Sequence, residues 1–180
     1  MRRPLLPIAA AAELAAVLAA VLVVLLAGCG GSKHTSTASA TAAAKSPASV
    51  LGAGATIVYQ GTSWAVVVKG ADAVAAHLVR GTWRADRSGR VKVELLGSTG
   101  DQPPTPQVAA QLTSKTPLVE SALWIDGVEV QEKGGGTPTR GTIYGSPAAP
   151  LLPGLHTLVA YGRTATTGTA VARSFRVVSS

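Results

Sequence analysis

Apolar and polar positions alternate along residues 51–180 in short runs, which are separated by glycine, proline or aspartate. No apolar period of 3.6 residues persists for three turns, and short runs between turn residues are typical of β-strands. Gly70–His77 is the one competing segment, because its alanines would suit a helical turn. Many short strands joined by turns predict an all-β sandwich or barrel. We predict eleven strands: Thr56–Tyr59, Trp64–Lys69, Ala75–Val79, Gly81–Ala85, Arg90–Leu96, Gln107–Leu112, Val119–Ile125, Val128–Gln131, Gly141–Tyr144, His156–Gly162 and Ala170–Val178.

A tight hairpin is predicted at Asp126-Gly127, because this pair favours a type I′ turn in which both residues have positive φ. The register of that hairpin directs four side chains into the core: Leu123, Ile125, Val128 and Val130. Trp124 and Glu129 then share the opposite face. If residues 51–104 cover that face, Trp124 is a core residue. Without cover, Trp124 would be the best single candidate for a binding contact.

A second hairpin is predicted at Asp86–Gly89, where aspartate at the first position and glycine at the fourth fit a type I turn. It would join the predicted strands Gly81–Ala85 and Arg90–Leu96. Along the second of these, the alternation places apolar side chains inside and charged ones outside: Val91, Val93 and Leu95 against Lys92 and Glu94.

The first 28 residues predict an export signal, with two arginines at the start and fourteen consecutive apolar residues over Leu14–Ala27. The end of this segment, Leu26-Ala27-Gly28-Cys29, resembles the lipobox of bacterial lipoproteins. The resemblance implies that the thiol of Cys29 receives a diacylglycerol and that Cys29 becomes the mature N-terminus. The lipid would hold the chain on the extracytoplasmic face of the cell membrane.

The alternative for this segment is an uncleaved transmembrane anchor. Pro4–Gly28 is mostly apolar and long enough to span a bilayer. Glu13 interrupts the run, because a carboxylate near the bilayer centre costs about 3 kcal/mol on insertion scales. Both interpretations place the bulk of the chain outside the cytoplasm.

The lipidated cysteine and the residues after it, 29–50, form a predicted linker before the domain at 51–180. Of the 21 residues from Gly30 to Val50, 14 are alanine, serine or threonine, and none is aromatic. Such a composition predicts a flexible tether with a root-mean-square reach of about 25 Å.

The closing segments of the chain carry a resemblance to a known fold family. Leu151–Tyr161 contains Pro153-Gly154-Leu155-His156, and Ser174-Phe175-Arg176-Val177 follows near the end. Together with the hairpin at Asp126-Gly127, these segments resemble the later strands of bacterial immunoglobulin-like domains over about residues 105–180. The resemblance implies an immunoglobulin-like β-sandwich. Residues 51–104 have no such match, and they either complete the sandwich or form a separate subdomain.

No enzyme signature is visible in the sequence. One cysteine excludes a disulfide framework, and the three histidines lie too far apart for a typical zinc site. The serine in Gly61-Thr62-Ser63-Trp64-Ala65 lacks the second glycine of a nucleophile elbow, and the glycines at 134–136 lack the lysine of a phosphate loop. We therefore expect no catalytic residues, cofactor or metal.

The remaining chemistry is a basic surface. The chain has a formal charge of +7, and five cations gather along one stretch: Arg80, Arg84, Arg87, Arg90 and Lys92. They could face an anionic envelope polymer or lipid headgroups. The alternative is that arginines on outer strand faces only keep the sheet edges soluble. The candidate binding surface comprises Trp124, Glu129, Arg140, Arg84, Arg87 and Arg90.

These observations predict a membrane-anchored extracytoplasmic lipoprotein with a non-enzymatic immunoglobulin-like binding or adhesion module. Its partners would be the membrane, through lipid at Cys29, and a cell-envelope protein or anionic polymer. Neither nucleic acid nor a small-molecule substrate is indicated. One alternative is a structural accessory subunit of a larger envelope complex, assembled through an edge strand such as Ala170–Val178. A second alternative is an uncleaved single-pass membrane-anchored protein, and an exported hydrolase would need clustered polar side chains in a cleft.

Overall fold

The computed structural model describes residues 45–97 and 100–179, so Cys29 and the predicted export signal lie outside the described residues. The described chain has one short 3₁₀ helix, Pro47–Val50, and is otherwise built of strands. The strands are β1 Thr56–Gln60, β2 Trp64–Lys69, β3 Asp72–Val79, β4 Thr82–Ala85, β5 Val91–Leu96, β6 Asp101–Gln102, β7 Val108–Ser114, β8 Glu120–Ile125, β9 Val128–Glu129, β10 Gln131–Thr137, β11 Arg140–Gly145, β12 Gly154–Arg163 and β13 Gly168–Val177.

The all-β prediction is confirmed, and each of the eleven predicted strands overlaps an observed one. The segment Gly70–His77, for which a helical turn was the alternative, contributes to β3 instead. Its residues pair with β2 on one side and with β4 on the other. The sequence analysis missed β6, which has only two residues, and most of β10, whose glycines have low intrinsic strand preference.

The strands form three sheets. The cover sheet consists of β1–β4 in chain order, with antiparallel neighbours. The outer sheet has the order β10-β11-β7-β5, and the central sheet has the order β6-β13-β12-β8-β9. All pairs in the outer and central sheets are antiparallel except β6 with β13.

The outer and central sheets pack face to face over the first core. Leu112 of β7 and Ile143 of β11 meet Leu123, Leu158 and Phe175 of the central sheet there. Residues of both sheets alternate between this core and the opposite face, as the two-residue period of a strand requires. Two packed antiparallel sheets make this part of the chain a β-sandwich.

The central sheet is also covered on its other face. Trp64 and Val66 of β2 pack there against Trp124 of β8 and Tyr161 of β12. Trp124 is 4% exposed. The cover predicted for this face is therefore present, and it comes from strands before residue 86. Trp124 lies beneath the cover sheet rather than between the two sheets of the sandwich.

The residues before β1, including the 3₁₀ helix, cover the outer face of the cover sheet. Ala65, Val67 and Trp83 are buried there, and the segment around the 3₁₀ helix packs over them through Val50 and Leu51. The sequence Trp64–Val68 is a continuous apolar run because β2 is buried on both faces.

The predicted turn at Asp126-Gly127 is confirmed, with φ of 50° and 84°, which are type I′ values at both positions. Trp124 pairs with Glu129, as predicted. Three of the four predicted core side chains are buried, but Val128 is 68% exposed. The prediction for Val128 is wrong: Val128 directly follows the turn at the tip of the hairpin, and the core is reached only further along, at Val130.

The predicted hairpin at Asp86–Gly89 is also wrong. The strand before it, β4, ends the cover sheet, and the strand after it, β5, is the edge of the outer sheet. The Asx turn itself is present, since the Asp86 carboxylate accepts a hydrogen bond from the Ser88 N–H at 2.9 Å. The predicted alternation along β5 is confirmed, because Val91 is buried whereas Lys92 and Glu94 are exposed.

Replacing Trp124 with alanine tests the cover. We expect Trp124→Ala to lower the free energy of unfolding by about 3–5 kcal/mol, since a fully buried tryptophan leaves a large cavity. Chemical denaturation followed by circular dichroism measures the loss. Val128→Ala in the same hairpin is the control, and it should change stability by less than about 0.5 kcal/mol. Equal small effects of both variants would contradict the burial of Trp124.

Candidate functional site

A cleft of about 630 Å³ opens where three segments of the sandwich meet. These segments are the start of β5, the end of β7 with the residues after it, and the turn between β12 and β13. Its walls are almost entirely cationic and hydroxyl-bearing: Gly89, Arg90, Lys92, Thr113, Ser114, Lys115, Thr116, Thr166 and Thr167. We call this feature the basic cleft.

The charged residues that line the basic cleft are all of one sign. Arg90, Lys92 and Lys115 supply three positive charges, and no carboxylate is among the lining residues. All three cations are exposed, and within residues 45–97 and 100–179 none of them takes part in an ion pair. A concave surface of one charge sign concentrates counter-ions, so the cleft attracts anions.

Strand pairing brings the cations together. Lys92 of β5 lies directly opposite Thr113 of β7 in the antiparallel register, and Lys115 follows the end of β7. The side chain of Thr169 on β13 donates to the Val91 carbonyl at 2.8 Å. This hydrogen bond ties the start of β5 to the central sheet and fixes one wall of the cleft.

The turn between β12 and β13 forms another wall and is ordered by its own hydroxyl groups. The Thr164 N–H donates to the Thr167 carbonyl at 2.8 Å, and the hydroxyl groups of Thr164 and Thr167 lie 3.1 Å apart. Both threonines are buried. Thr166 at the tip remains exposed, so its hydroxyl faces solvent on a rigid support.

Asp86 joins residues 86–90, the segment between β4 and β5, to the turn between β12 and β13. Its carboxylate accepts hydrogen bonds from the Ser88 N–H at 2.9 Å and the Gly168 N–H at 2.8 Å. Burial alone would raise the pKa of Asp86, but these backbone hydrogen bonds outweigh burial and lower the pKa below its usual range. A Cβ at position 168 would lie 2.9 Å from Trp64 Cζ3, so glycine lets the turn approach this closely.

A second polar cluster lies at the edge of the cover sheet. Arg163 bonds Glu120 at 2.5 Å and stacks over Trp64, with its guanidinium carbon 5.8 Å from the ring centroid. The hydrogen bond to Glu120 and burial raise the pKa of Tyr59, and burial raises the pKa of Tyr161 above its usual range. Both tyrosines therefore stay neutral at physiological pH. The cluster pairs its charges internally, which is typical of a structural role.

A third polar arrangement lies at the other end of the sandwich. His156 Nδ1 is 2.6 Å from an Asp126 carboxylate oxygen, and His156 Nε2 is 2.8 Å from the Leu152 carbonyl. Burial acts to lower the pKa of His156, but the hydrogen bonds to Asp126 and Leu152 outweigh it, so the pKa is raised. Two acceptors can both be satisfied only by the doubly protonated ring. The other Asp126 carboxylate oxygen accepts the Thr157 N–H at 2.8 Å, so Asp126 links the hairpin turn to the start of β12.

The structure separates the predicted site residues. Arg90 lines the basic cleft, whereas Arg84 and Arg87 are exposed outside its lining. Arg84 lies on β4 opposite His77, in the cover sheet, whereas Arg90 directly precedes β5 of the outer sheet. Of the five predicted cations, only Arg90 and Lys92 line the basic cleft.

The other predicted contacts lie apart from the cleft. Glu129 is exposed on β9 and Arg140 is exposed at the start of β11. Trp124 is a core residue and is removed from the candidate binding surface, because the cover sheet encloses it. Cys29, the predicted lipidation site, lies outside the described residues.

Sequence analysis missed Lys115 and the threonines of the cleft. The signal was the run Thr113-Ser114-Lys115-Thr116, in which three hydroxyl residues surround a lysine directly after a strand. Loops at the end of a rigid sandwich are common binding positions. The link to Arg90 and Lys92 depended on strand register, which that run does not reveal.

Comparison with known proteins does not assign a family. No protein-family model matches the chain, and no curated protein matches it significantly. Among residues 45–97 and 100–179, no three histidine, cysteine, aspartate or glutamate side chains are grouped to hold a metal ion. Within the same ranges no helix is long and apolar enough to cross a membrane. The functional argument therefore depends on the geometry of the basic cleft.

The His156–Asp126 pair predicts a pH dependence of stability. Because the folded pKa of His156 lies above its ordinary value of 6.5, the stabilisation is complete below about pH 6.5 and is lost as the pH rises through the folded pKa. Denaturation of the wild type and of Asp126→Asn at several pH values measures this. Asparagine tolerates positive φ, so the turn is kept. We expect the stability difference to shrink above the folded pKa; a constant difference would contradict the pairing.

Proposed function

We propose that the chain is an extracytoplasmic lipoprotein whose immunoglobulin-like sandwich binds cell-envelope material without catalysis. The observation that carries the proposal is the basic cleft at one end of the sandwich. Its three cations and the surrounding hydroxyl groups are binding groups. Its lining residues include no histidine, cysteine or carboxylate.

The strand order supports an immunoglobulin-like topology. The outer sheet runs β5-β7-β11-β10, and the central sheet runs β13-β12-β8-β9. In chain order these positions match strands A-B-E-D and G-F-C-C′ of such domains. The parallel strand β6 beside β13 completes the edge. The chain departs from antibody domains in having one cysteine and in placing Trp124 under the cover sheet.

The position of the cleft supports binding. It includes residues from the loop after β7 and from the turn between β12 and β13, which correspond to the B–C and F–G loops of the immunoglobulin topology. In variable domains these loops belong to the binding end of the sandwich. Hydrogen bonds hold the neighbouring loop in place, since the Ser114 N–H donates to Thr139 and the Leu118 N–H donates to Pro138.

The edge of β13 does not favour the accessory-subunit alternative. On its outer side β13 pairs with β6 at Arg176 and Val177. Further along, Arg173 donates to the Leu96 carbonyl at 3.0 Å, and Thr169 donates to Val91. These side chains bridge β13 to the outer sheet and obstruct an added strand.

The lipobox supports anchoring through Cys29 and favours the lipoprotein over the uncleaved anchor.

Replacing Cys29 with serine tests the anchor. We expect Cys29→Ser to release the protein from membranes or to accumulate the precursor, because serine lacks the thiol that accepts the diacylglycerol. Membrane fractionation with immunoblotting measures both outcomes. Ser32→Ala is the control and should fractionate like the wild type. Membrane-bound Cys29→Ser of mature size would contradict lipid anchoring.

Binding to envelope material tests the module. The full chain, purified in detergent, should sediment with lipid-depleted envelope sacculi of the cells that make it, and binding should saturate. It should also weaken as salt is raised, because exposed cations carry the attraction. Absence of saturable binding at low salt would contradict a binding function.

A further inference from the structure

The geometry points to a phosphate-bearing anionic polymer as the ligand of the basic cleft. This inference rests on the proposed binding function and specifies the chemistry of its ligand. Three independent properties of the cleft carry it: its charge, the arrangement of its donors and its volume.

The charge selects an anion over a neutral glycan. Arg90, Lys92 and Lys115 converge without a lining carboxylate and without an ion-pair partner among the described residues. Three like charges held together repel one another, and an anion that enters relieves this repulsion. A polymer with repeated charges contacts all three cations at once and releases its counter-ions.

The donors select phosphate over carboxylate. Arg90 offers a planar fork of N–H groups, the two lysines offer point charges, and exposed threonines offer hydroxyl donors on two walls, Thr113 and Thr116 on one and Thr166 on another. The oxygens of a phosphate point to the corners of a tetrahedron, so it can accept hydrogen bonds from several walls together. A carboxylate holds its acceptors in one plane.

The volume selects a polymer segment over free phosphate. The cleft encloses about 630 Å³, within the range of about 300–1,000 Å³ for ligand sites. An inorganic phosphate has five heavy atoms, and a water occupies about 30 Å³ in the liquid. Free phosphate would therefore fill only a small part of the cleft and would leave some of the cations without a partner.

The lining argues against lipid headgroups as the source of phosphate. No large apolar side chain lines the cleft, although surfaces that enter the headgroup region usually carry such residues. The cations also line a recess rather than a flat face. A chain-like anion can enter this recess more readily than a bilayer surface can approach it.

Titration of the full chain in detergent tests the inference. The probes are linear inorganic polyphosphate, polyglutamate as the carboxylate polymer, inorganic phosphate, and glycerophosphoglycerol, which is the water-soluble headgroup of phosphatidylglycerol. The cleft variant is Arg90→Gln/Lys92→Gln/Lys115→Gln. The control variant is Lys69→Gln/Lys45→Gln/Arg176→Gln, which removes the same charge from exposed positions outside the cleft. Thermal melts verify that both variants fold.

We expect the wild type to bind polyphosphate more tightly than polyglutamate, phosphate or glycerophosphoglycerol. The cleft variant should lose at least about tenfold in affinity and the control less than about twofold, since only the cleft charges meet the polymer. The salt dependence of binding should fall in the cleft variant by about 0.7 log units per log unit of salt for each cation removed.

Equal losses in both variants would overturn the inference, because net charge alone would then govern binding. Tighter binding of glycerophosphoglycerol would assign the phosphate to lipid headgroups, and equal binding of polyglutamate would remove the preference for phosphate. If the cleft variant still sediments with envelope sacculi like the wild type, the proposed binding function stands but the basic cleft is not the binding site. If the wild type does not sediment, the proposed function itself fails.

Discussion

Burial of the central sheet on both faces is the constraint on which the rest of the structure depends. Five consecutive residues of β12, from Leu158 to Gly162, are buried. Leu158 and Ala160 enter the sandwich core, whereas Val159 and Tyr161 enter the core under the cover sheet. Without the cover sheet, Trp124 and Tyr161 would face water, and each aromatic side chain buries about 150–250 Å². The cover sheet and the sandwich therefore depend on the same three strands, β8, β12 and β13, which contribute to both cores.

The parts of the fold that local chemistry determines could be predicted from the sequence. Asp126-Gly127 fixes the turn type, and the turn type fixes the pairing of Trp124 with Glu129. The predicted hairpin at Asp86–Gly89 failed because β4 and β5 belong to different sheets, and the Asp86 carboxylate between them binds the Gly168 N–H, 82 residues along the chain. A long-range partner of this kind leaves no local pattern. The short apolar run of β12 did carry a signal of burial on both faces, since a strand with one solvent face would alternate.

The candidate site was predictable only in part for the same reason. Arg90 and Lys92 are close in sequence, and their charge is visible there. Lys115 joins them because β5 and β7 are antiparallel neighbours, with Lys92 opposite Thr113. The sequence analysis instead grouped Arg84 with Arg90, although the chain leaves the cover sheet between these residues and enters the outer sheet. Proximity in sequence across a sheet boundary is therefore a poor guide to a shared surface.

Two carboxylates close to the cleft along the chain, those of Asp86 and Glu120, are held by partners outside it, and Glu94, two residues after Lys92, is not among its lining residues. Asp86 lies four residues before Arg90, yet backbone N–H groups of Ser88 and Gly168 hold its carboxylate. Glu120, close along the chain to Lys115, bonds Arg163. These contacts keep the acids out of the cleft while they fix the segments that form its walls. An isolated surface ion pair contributes only about 0–1 kcal/mol, so leaving the cleft cations unpaired costs the fold little and keeps them accessible to a ligand.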